Sequence, residues 1–572
     1  MYKFVPRSIT WRLEDRQLIG RLFGVLWIFL LVGLRSCALN NEVKVSIDSS
    51  STKEKWLDQV IEQFNGEEHK TTDGKKIVVQ ANHVTSGASM NALLDGSSEP
   101  TVWSPGDGSW VELINSSWRE RHNQPVNSQS CRPTIQVPAG FAMWRPMAEE
   151  LGWPDEPIGW DMLVALAADP EGWASYGHPE WGRFSFGHTH PAYSNTGLLS
   201  MTSFVYGALG NPESLTATQV YEAEEAMRAL EQVTSKYGTS SSALLDLMAR
   251  EGPGYLHAAA VPEANVARYN VEHGDELQFP LAFIIPAGGT IWADHPYCVL
   301  DHAEWVSPEE VEAATLFGDY LLAPEQQALT VANYLRPVDP TIPLQDPLSL
   351  KNGVDPTVSP ETVPALSSPD SAVSAAVTDL FMLSKRPATV IILIDTSGSM
   401  HGDKIRAARE ATIEFIGRLN SEDEVAVMKF ASAAIEIIEP QQIGYGSQSL
   451  SERIDKLQAS GGTALHQAVC KATRRSSDLK DTHEAAGESR LYGIVLLSDG
   501  MNMASNITEG QMFADCLPDN AEVEGFKIFS IAFGGDANED LLGRISDVTG
   551  GRFFKADTDS ISDVYLSITA EQ

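Results

Sequence analysis

Hydrophobic positions along the chain fall into two alternating rhythms. From residue 43, short β-rich runs such as VKVSI and KIVVQANHV alternate with helical patterns such as WLDQVIEQF and ASMNALL. Alternating β and α elements predict a doubly wound α/β unit. This rhythm continues to about Pro343, with helices predicted over 223–237 and 308–322. Between Pro337 and Pro387 the text turns to Pro, Ser, Val and Asp with little periodicity, as in PTVSPETVPALSSPDS, which predicts a linker carrying one helix at 372–383. A second α/β unit follows. It opens on ATVIILI, residues 388–394, a continuous apolar run of the kind that lies in a parallel sheet covered on both faces. At 572 residues the chain exceeds what one core organises, in keeping with this division. The predicted organisation is a leading segment over 1–37, a first domain over 42–343, a Pro-rich linker over 344–385 and a last domain over 386–572.

The first forty residues have a different character. Lys3, Arg7, Arg12, Arg16 and Arg21 precede an unbroken apolar run over 22–34. That run is shorter than the ~20 residues of a spanning helix, so it predicts an export signal or anchor that puts the body outside the cytoplasm, facing the periplasm or the extracellular side. Leu34-Arg35-Ser36-Cys37 resembles a bacterial lipobox, which would make Cys37 a lipidation site. An uncleaved anchor and ordinary cleavage stay open beside it. Asp+Glu 77 against Lys+Arg 41 gives a net charge of -36, which argues against nucleic acid or anionic lipid as partners of the body and leaves membrane contact to the N-terminus.

The strand 388–394 runs into Asp395-Thr396-Ser397-Gly398-Ser399, which supplies a carboxylate and two hydroxyls at alternate positions. Farther on, Gly461-Gly462-Thr463 opens a helical pattern, and the strand-like YGIVLLS runs into Asp499-Gly500. All are hard oxygen donors at places where a parallel sheet gathers its ligands. The order D-x-S-x-S, then Thr, then Asp resembles the metal-ion-dependent adhesion site of von Willebrand factor A domains, over about residue 386 to the C-terminus. The resemblance implies a doubly wound, Rossmann-like domain that holds Mg²⁺ (or Mn²⁺) through Asp395, Ser397, Ser399, Thr463 and Asp499. It also implies an open coordination position that accepts an acidic side chain of a partner protein. Hydrolysis would need a general base, and only His401 flanks the site, so no enzymatic activity is expected.

Residues 43 to about 343 resemble bacterial extracellular solute-binding proteins of the two-lobed type 2 periplasmic-binding fold. The resemblance is carried by VKVSIDSSSTKEKWLDQVIEQFN, VWSPGDGSWVELIN, FAMWRPMAEELGWPDEPIGWDMLVALA, GHPEWGRFSFGHTHPAYSNTGLLSM and YLLAPEQQAL. It implies a small polar or anionic solute held between the lobes. Loops of Ser, Thr and Gly at apparent helix starts nominate Ser50, Ser51, Thr52, Ser86, Gly87, Ser109, Ser194, Asn195 and Thr196. Free N–H groups and hydroxyls there suit an anion, and helix capping is the competing use of the same residues. His188 and His190 could instead hold a transition metal from one strand face. Trp103, Trp110, Trp153, Trp160, Trp173 and Trp181 read as core rather than as a sugar platform. Pro262 is predicted to interrupt the helix in VPEANVARYN.

Setting Cys37 aside, four cysteines remain. In the resembling fold Cys131 and Cys298 lie near the strands crossing between lobes, implying a disulfide that limits cleft opening; two unpaired thiols too far apart to bridge are the competing reading. Cys470 and Cys516 sit in apolar helical patterns and read as small buried hydrophobes. The resulting expectation is an exported, membrane-tethered protein joining a solute-binding domain to a metal-dependent protein-interaction domain. An ABC importer's binding subunit and a surface adhesin with a non-binding scaffold are the alternatives.

Overall fold

The computed structural model describes residues 41–568 apart from 239, 446, 518–525, 559, 563, 566 and 567. The basic and apolar leader and Cys37 lie outside the described residues. No described helix is long and apolar enough to cross a membrane.

The first lobe is built on strand Glu42–Ser50, which pairs in parallel with Lys76–Val84 on one side and Val102–Ser104 on the other; Cys298–Val299 joins the outer edge antiparallel. Along the first strand Val43, Val45 and Ile47 are buried while Lys44 is exposed, the period-two signature of a pleated strand. Those side chains pack on Trp56, Val60 and Phe64 of helix Glu54–Gly66 and on Phe317 of helix Pro308–Leu321. The second lobe carries a sheet in the order Thr234–Gly238, Phe186–Thr189, Ala258–Ala259, Phe141–Trp144, Leu281–Ile284. Between the lobes, Ile135–Pro138 pairs antiparallel with Trp292–Ala293 and Arg336–Pro337, so the chain crosses three times through one small sheet. Trp103, Trp110, Trp160 and Trp173 are buried in the large core cluster, and Trp153 and Trp181 are half-buried against it.

Three local expectations are corrected. The helix foreseen over 223–237 stops at Val233, and Thr234–Gly238 becomes the edge strand beside Phe186–Thr189, because a sheet edge offers β-prone Thr and Tyr a full ladder. Pro262 does not break a helix; it caps the start of Glu263–Glu272, where its missing N–H costs nothing. Cys470 and Cys516 are joined in a disulfide between helices Leu465–Ala485 and Glu509–Cys516 rather than standing as separate hydrophobes.

Residues 344–385 do not run free. Leu348, Val354, Val373, Ala376, Val377 and Leu380 are buried in the first domain's core cluster. Arg336, paired with buried Glu263 at 2.6 Å, also donates to the carbonyl of Asp355. The helix in this segment is Ser371–Ser384, and its Phe381 ring packs on His188, His190 and Tyr237. The Pro- and Ser-rich text thus belongs physically to the first domain.

Among the described residues the last domain holds six strands in the order Ala434–Gln442, Glu424–Phe430, Ala388–Asp395, Leu491–Ser498, Phe526–Phe533, Phe553–Ala556; all neighbours are parallel except the first pair. Alternate side chains of the central strand serve opposite cores. Val390, Ile392 and Ile394 face the cluster with helix Asp403–Arg418, and Ile391 and Leu393 face that with helix Leu465–Ala485. This two-sided burial explains why the run 388–394 has no polar alternation.

Candidate metal centre and solute cleft

In the six-stranded sheet the chain winds outward in both directions from the adjacent strands Ala388–Asp395 and Leu491–Ser498. Their carboxyl ends therefore flank the topological switch point, where open α/β sheets bind ligands. Asp395 and Asp499 are both fully buried there. The Ser397 backbone N–H donates to Asp395 Oδ1 at 2.8 Å, and Ser498 Oγ donates to Oδ2 at 2.7 Å, which fixes the carboxylate's direction. Ser399 Oγ donates to Asp499 Oδ1 at 2.7 Å and lies 3.0 Å from Ser397 Oγ. The turn bearing both serines is pinned to the loop before Thr463 by Gly398 N–H to Gly461 carbonyl at 3.0 Å and Ser460 N–H to Thr396 carbonyl at 2.7 Å.

Thr463 is 5% exposed, and a Cβ on Gly500 would stand 3.5 Å from both Thr463 Oγ1 and Ser399 Oγ. A bare glycine thus keeps the space between the hydroxyls open. Burial first, and then the charge of Asp499, raises the Asp395 pKa, so two buried carboxylates in one site favour a cation between them. Two carboxylates and three hydroxyls are hard oxygen donors, the set that Mg²⁺ or Mn²⁺ takes. Among the described residues no group of three or more His, Cys, Asp and Glu side chains is placed to hold a metal, so a divalent ion here depends on these hydroxyls.

Two contacts escaped the sequence reading. Lys404 Nζ sits 2.7 Å from Asp499 Oδ2, a built-in cation beside the carboxylate. Ser498 orients Asp395. Ser498 directly precedes Asp499 and Lys404 lies five positions after Ser399, and neither residue type announces its role. Exposed Met501 and Met503 and exposed His401 rim the site.

The structure brings Thr52, Asn195 and Thr196 together between the lobes, with Ser200, Pro262 and His295, around a cavity of about 20 Å³, the space of about one water. Ser200 Oγ, which the sequence analysis did not nominate, is buried there without a hydrogen-bond partner. The remaining nominees do not line this cavity. Ser86 Oγ accepts from Gly106 N–H at 2.9 Å, and Gly87 N–H donates to Tyr193 carbonyl at 3.2 Å across the lobes. Ser194 Oγ caps its own helix, Ser51 is exposed, and Ser50 and Ser109 are buried. Capping and close lobe contact, which need the same small polar residues, account for the difference.

Behind the cavity, Lys53 is buried with Nζ 2.9 Å from Ser104 carbonyl and 3.4 Å from His295 Nδ1, and burial lowers its pKa to about 7. Asp107, raised to about 6 by burial and then by Asp294, accepts from Ser109 N–H at 2.9 Å and from Ser368 Oγ at 3.1 Å. Ser368 belongs to the segment 344–385, so that segment is tied to the first lobe through buried Asp107.

His188 and His190 are not metal ligands in this arrangement. His188 Nε2 lies 3.0 Å from Glu231 and Nδ1 3.0 Å from the Thr189 carbonyl, while His190 Nδ1 accepts from Ala192 N–H at 3.1 Å. Cys131 and Cys298 are bridged, with Cα atoms 4.6 Å apart. Both cysteines lie on the first lobe's side of the crossing, where Arg132 and Tyr297 exchange backbone hydrogen bonds. The bridge therefore fixes the crossing strands to that lobe and does not span the cleft.

Comparisons with known proteins fit both units. The model of the family described as bacterial extracellular solute-binding protein matches residues 45–336, and that of the von Willebrand factor type A domain matches residues 389–566. An uncharacterized protein of Synechocystis is 28% identical over 162 residues, covering 28% of this chain and 35% of that protein. Inter-alpha-trypsin inhibitor heavy chain H4 of Homo sapiens is 27% identical over 190 residues, covering 32% of this chain and 20% of its own length. The chain thus spans about a third or less of these relatives. Among solved structures, the periplasmic binding protein P5PA is 15% identical with a TM-score of 0.41, over 60% of this chain and 99% of its own. A von Willebrand factor type A protein from Catenulispora acidiphila is 24% identical with a TM-score of 0.29, over 33% and 43%.

Proposed function

Because the chain belongs to the family of bacterial extracellular solute-binding proteins and also carries a von Willebrand factor type A domain, we propose that it is an exported, membrane-tethered, non-enzymatic protein. In this reading it captures a small polar solute between its lobes and engages a protein partner through a Mg²⁺- or Mn²⁺-dependent site. Asp395, Ser397, Ser399, Thr463 and Asp499 hold the ion, which supplies a positive coordination position for an acidic side chain of the partner. The observation that carries the reading is the convergence of the Ser399 hydroxyl and Asp499 carboxylate, 2.7 Å apart, at the sheet's switch point. For the solute, support comes from Thr52, Asn195, Thr196 and the unpartnered Ser200 hydroxyl facing one cavity. An oxyanion or a similarly polar molecule matches those donors.

A second reading, an adhesin whose first domain is a scaffold, draws on the small volume of that cavity. Native mass spectrometry of the exported protein, with and without Mg²⁺, together with a thermal-shift panel of oxyanions, metals, sugars and amino acids, separates the two. A copurifying or stabilising polar solute supports capture, whereas a flat panel with an intact metal response supports the scaffold. A response to transition metals alone overturns the polar-solute assignment.

A further inference from the structure

Against the cavity between the lobes stands a histidine whose hydrogen-bonding state is dictated by its neighbours. His295 is buried and has φ +43°, a left-handed conformation that a non-glycine residue keeps only where its surroundings enforce it. Thr134 contributes to that, its Oγ1 donating to the His295 carbonyl at 2.6 Å. The ring lies between two unlike surroundings. On its Nδ1 side is the Lys53 side-chain nitrogen, 3.4 Å away; the residue also lines the cavity, with Thr52, Asn195, Thr196 and Ser200.

An ammonium has three N–H donors and no acceptor. Lys53 sends its three to the Ser104 carbonyl at 2.9 Å, the Pro105 carbonyl at 3.4 Å and His295 Nδ1 at 3.4 Å, so Nδ1 must accept. Burial first, and then the Lys53 charge, hold the His295 pKa well below its ordinary value, which makes the ring neutral with a single proton. With Nδ1 accepting, that proton sits on Nε2, a nitrogen that has no partner among the described residues. The rest of the wall agrees in sign. Trp110 Nε1 can only donate, and it meets Asn195 Oδ1 at 3.0 Å, which leaves the donor end of that amide unpartnered. The Ser200 hydroxyl is buried and unpartnered, and no acidic side chain is among the described residues that line the cavity. Buried donors without acceptors are costly unless a ligand supplies the acceptor.

We propose that His295 is the donor that seats an ionised oxygen of the solute, and that Lys53 is the positioning residue that keeps the imidazole proton on Nε2. This rests on solute capture between the lobes and adds the class of solute, one that presents an unprotonated sulfate-like or carboxylate group. It also adds a pH dependence. Burial brings the Lys53 pKa down to about 7 against the opposing pull of Asp294. Once Lys53 is neutral its amine can accept from Nδ1–H, the imidazole proton changes ends, and Nε2 turns a lone pair toward the solute. Asp107, beyond Asp294 and raised to about 6, gains its negative charge over the same range and works in the same direction. Affinity for an anion is therefore highest below about pH 6 and falls as pH rises through about 7. The cavity has room for about one water, so seating such an ion requires the lobes to part, as hinged two-lobed folds do.

The test uses the full chain with isotopically labelled histidine nitrogens, the His295 signals being assigned by their loss in His295→Gln. Long-range proton–nitrogen correlation reads the tautomer without any solute. Nε2–H at about pH 6, moving toward Nδ1–H by about pH 8, is the expected result, and Lys53→Met should abolish that step. If Lys53→Met fails to fold by circular dichroism, the wild-type pH series decides alone. Calorimetric titration at fixed ionic strength then uses sulfate and acetate as probes for the two sources of ionised oxygen. Saturable binding of one or both at about pH 6 should weaken at least about tenfold in His295→Leu, the size of one hydrogen bond to a charged group, and recover in part in His295→Gln, which keeps a donor. An Nδ1–H tautomer at about pH 6, or affinity that survives His295→Leu, overturns the proposal and leaves solute capture standing. Absence of binding of both probes to the wild type at millimolar concentration, with the Nε2–H tautomer present, overturns capture of an anionic solute and the proposal with it.

Discussion

Lys404 is the most informative single position in the last domain. Its ammonium lies 2.7 Å from Asp499 Oδ2; the Asp499 side chain is wholly buried and that of Lys404 30% exposed. Removing one partner of a fully buried pair costs about 3–5 kcal/mol, and breaking an exposed pair costs about 1 kcal/mol or less. With one end buried and the other partly hydrated, Lys404→Met should destabilise the metal-free domain by about 1–2 kcal/mol. For a domain of this size that lowers its melting temperature by roughly 2–8 °C in the presence of chelator. A divalent cation at Asp499 relieves the same unpaired carboxylate. By linkage, the energy lost to the metal-free variant therefore reappears as tighter metal binding, about 5- to 30-fold. Scanning calorimetry in chelator and Mn²⁺ titration of wild type and variant measure the two sides of the cycle. Unchanged metal-free stability together with weaker metal binding would refute the competition and make Lys404 a residue that positions Asp499.

Other positions give equally direct outcomes. Phe381→Ala removes a ring packed 4.9 Å from His190 and 5.5 Å from His188, and should cost the first domain about 3–5 kcal/mol in a denaturant melt, whereas a free linker would show almost no change. Replacing both members of Cys131–Cys298, separated by 167 residues, or of Cys470–Cys516, separated by 46, should cost roughly 5 and roughly 4 kcal/mol by loop-closure entropy. Free, alkylatable thiols in a non-reducing peptide map would contradict either bridge. Asp107, raised from 3.8 to about 6, binds a proton more readily folded than unfolded. Its contribution is therefore fully present below about pH 4 and is lost as pH rises through about 6, by roughly 3 kcal/mol. Urea melts of Asp107→Asn should gain on wild type over that window, and a pH-independent difference would contradict the assignment.

The sequence exposed those parts of the molecule where composition and position are tightly coupled. ATVIILI could only be a strand covered on both faces, and its side chains do alternate between two cores. Asp395, Ser397, Ser399, Thr463 and Asp499 could be collected because each follows a recognisable strand or opens a helix at one sheet edge. Contacts that depend on which faces meet were not legible. Helical periodicity at Cys470 and Cys516 says that each is buried, and says nothing of their facing one another. Pro- and Ser-rich text concealed that Leu348, Val377 and Leu380 are spaced to reach the first domain's core. Small polar residues at helix starts cap helices, seat close contacts and bind solutes with the same atoms, so Ser86 and Ser194 could not be told from Thr52 and Thr196 before the lobes were placed together.

The central claim is that five oxygen donors form a divalent-metal site on a domain whose stability is its own. Calorimetric titration of Mg²⁺ and Mn²⁺ into the full chain and into Asp395→Ala tests it most directly. One ion bound per wild-type chain, no binding by the variant and an unchanged melting transition of the first domain are predicted; undiminished metal affinity in Asp395→Ala would contradict the site.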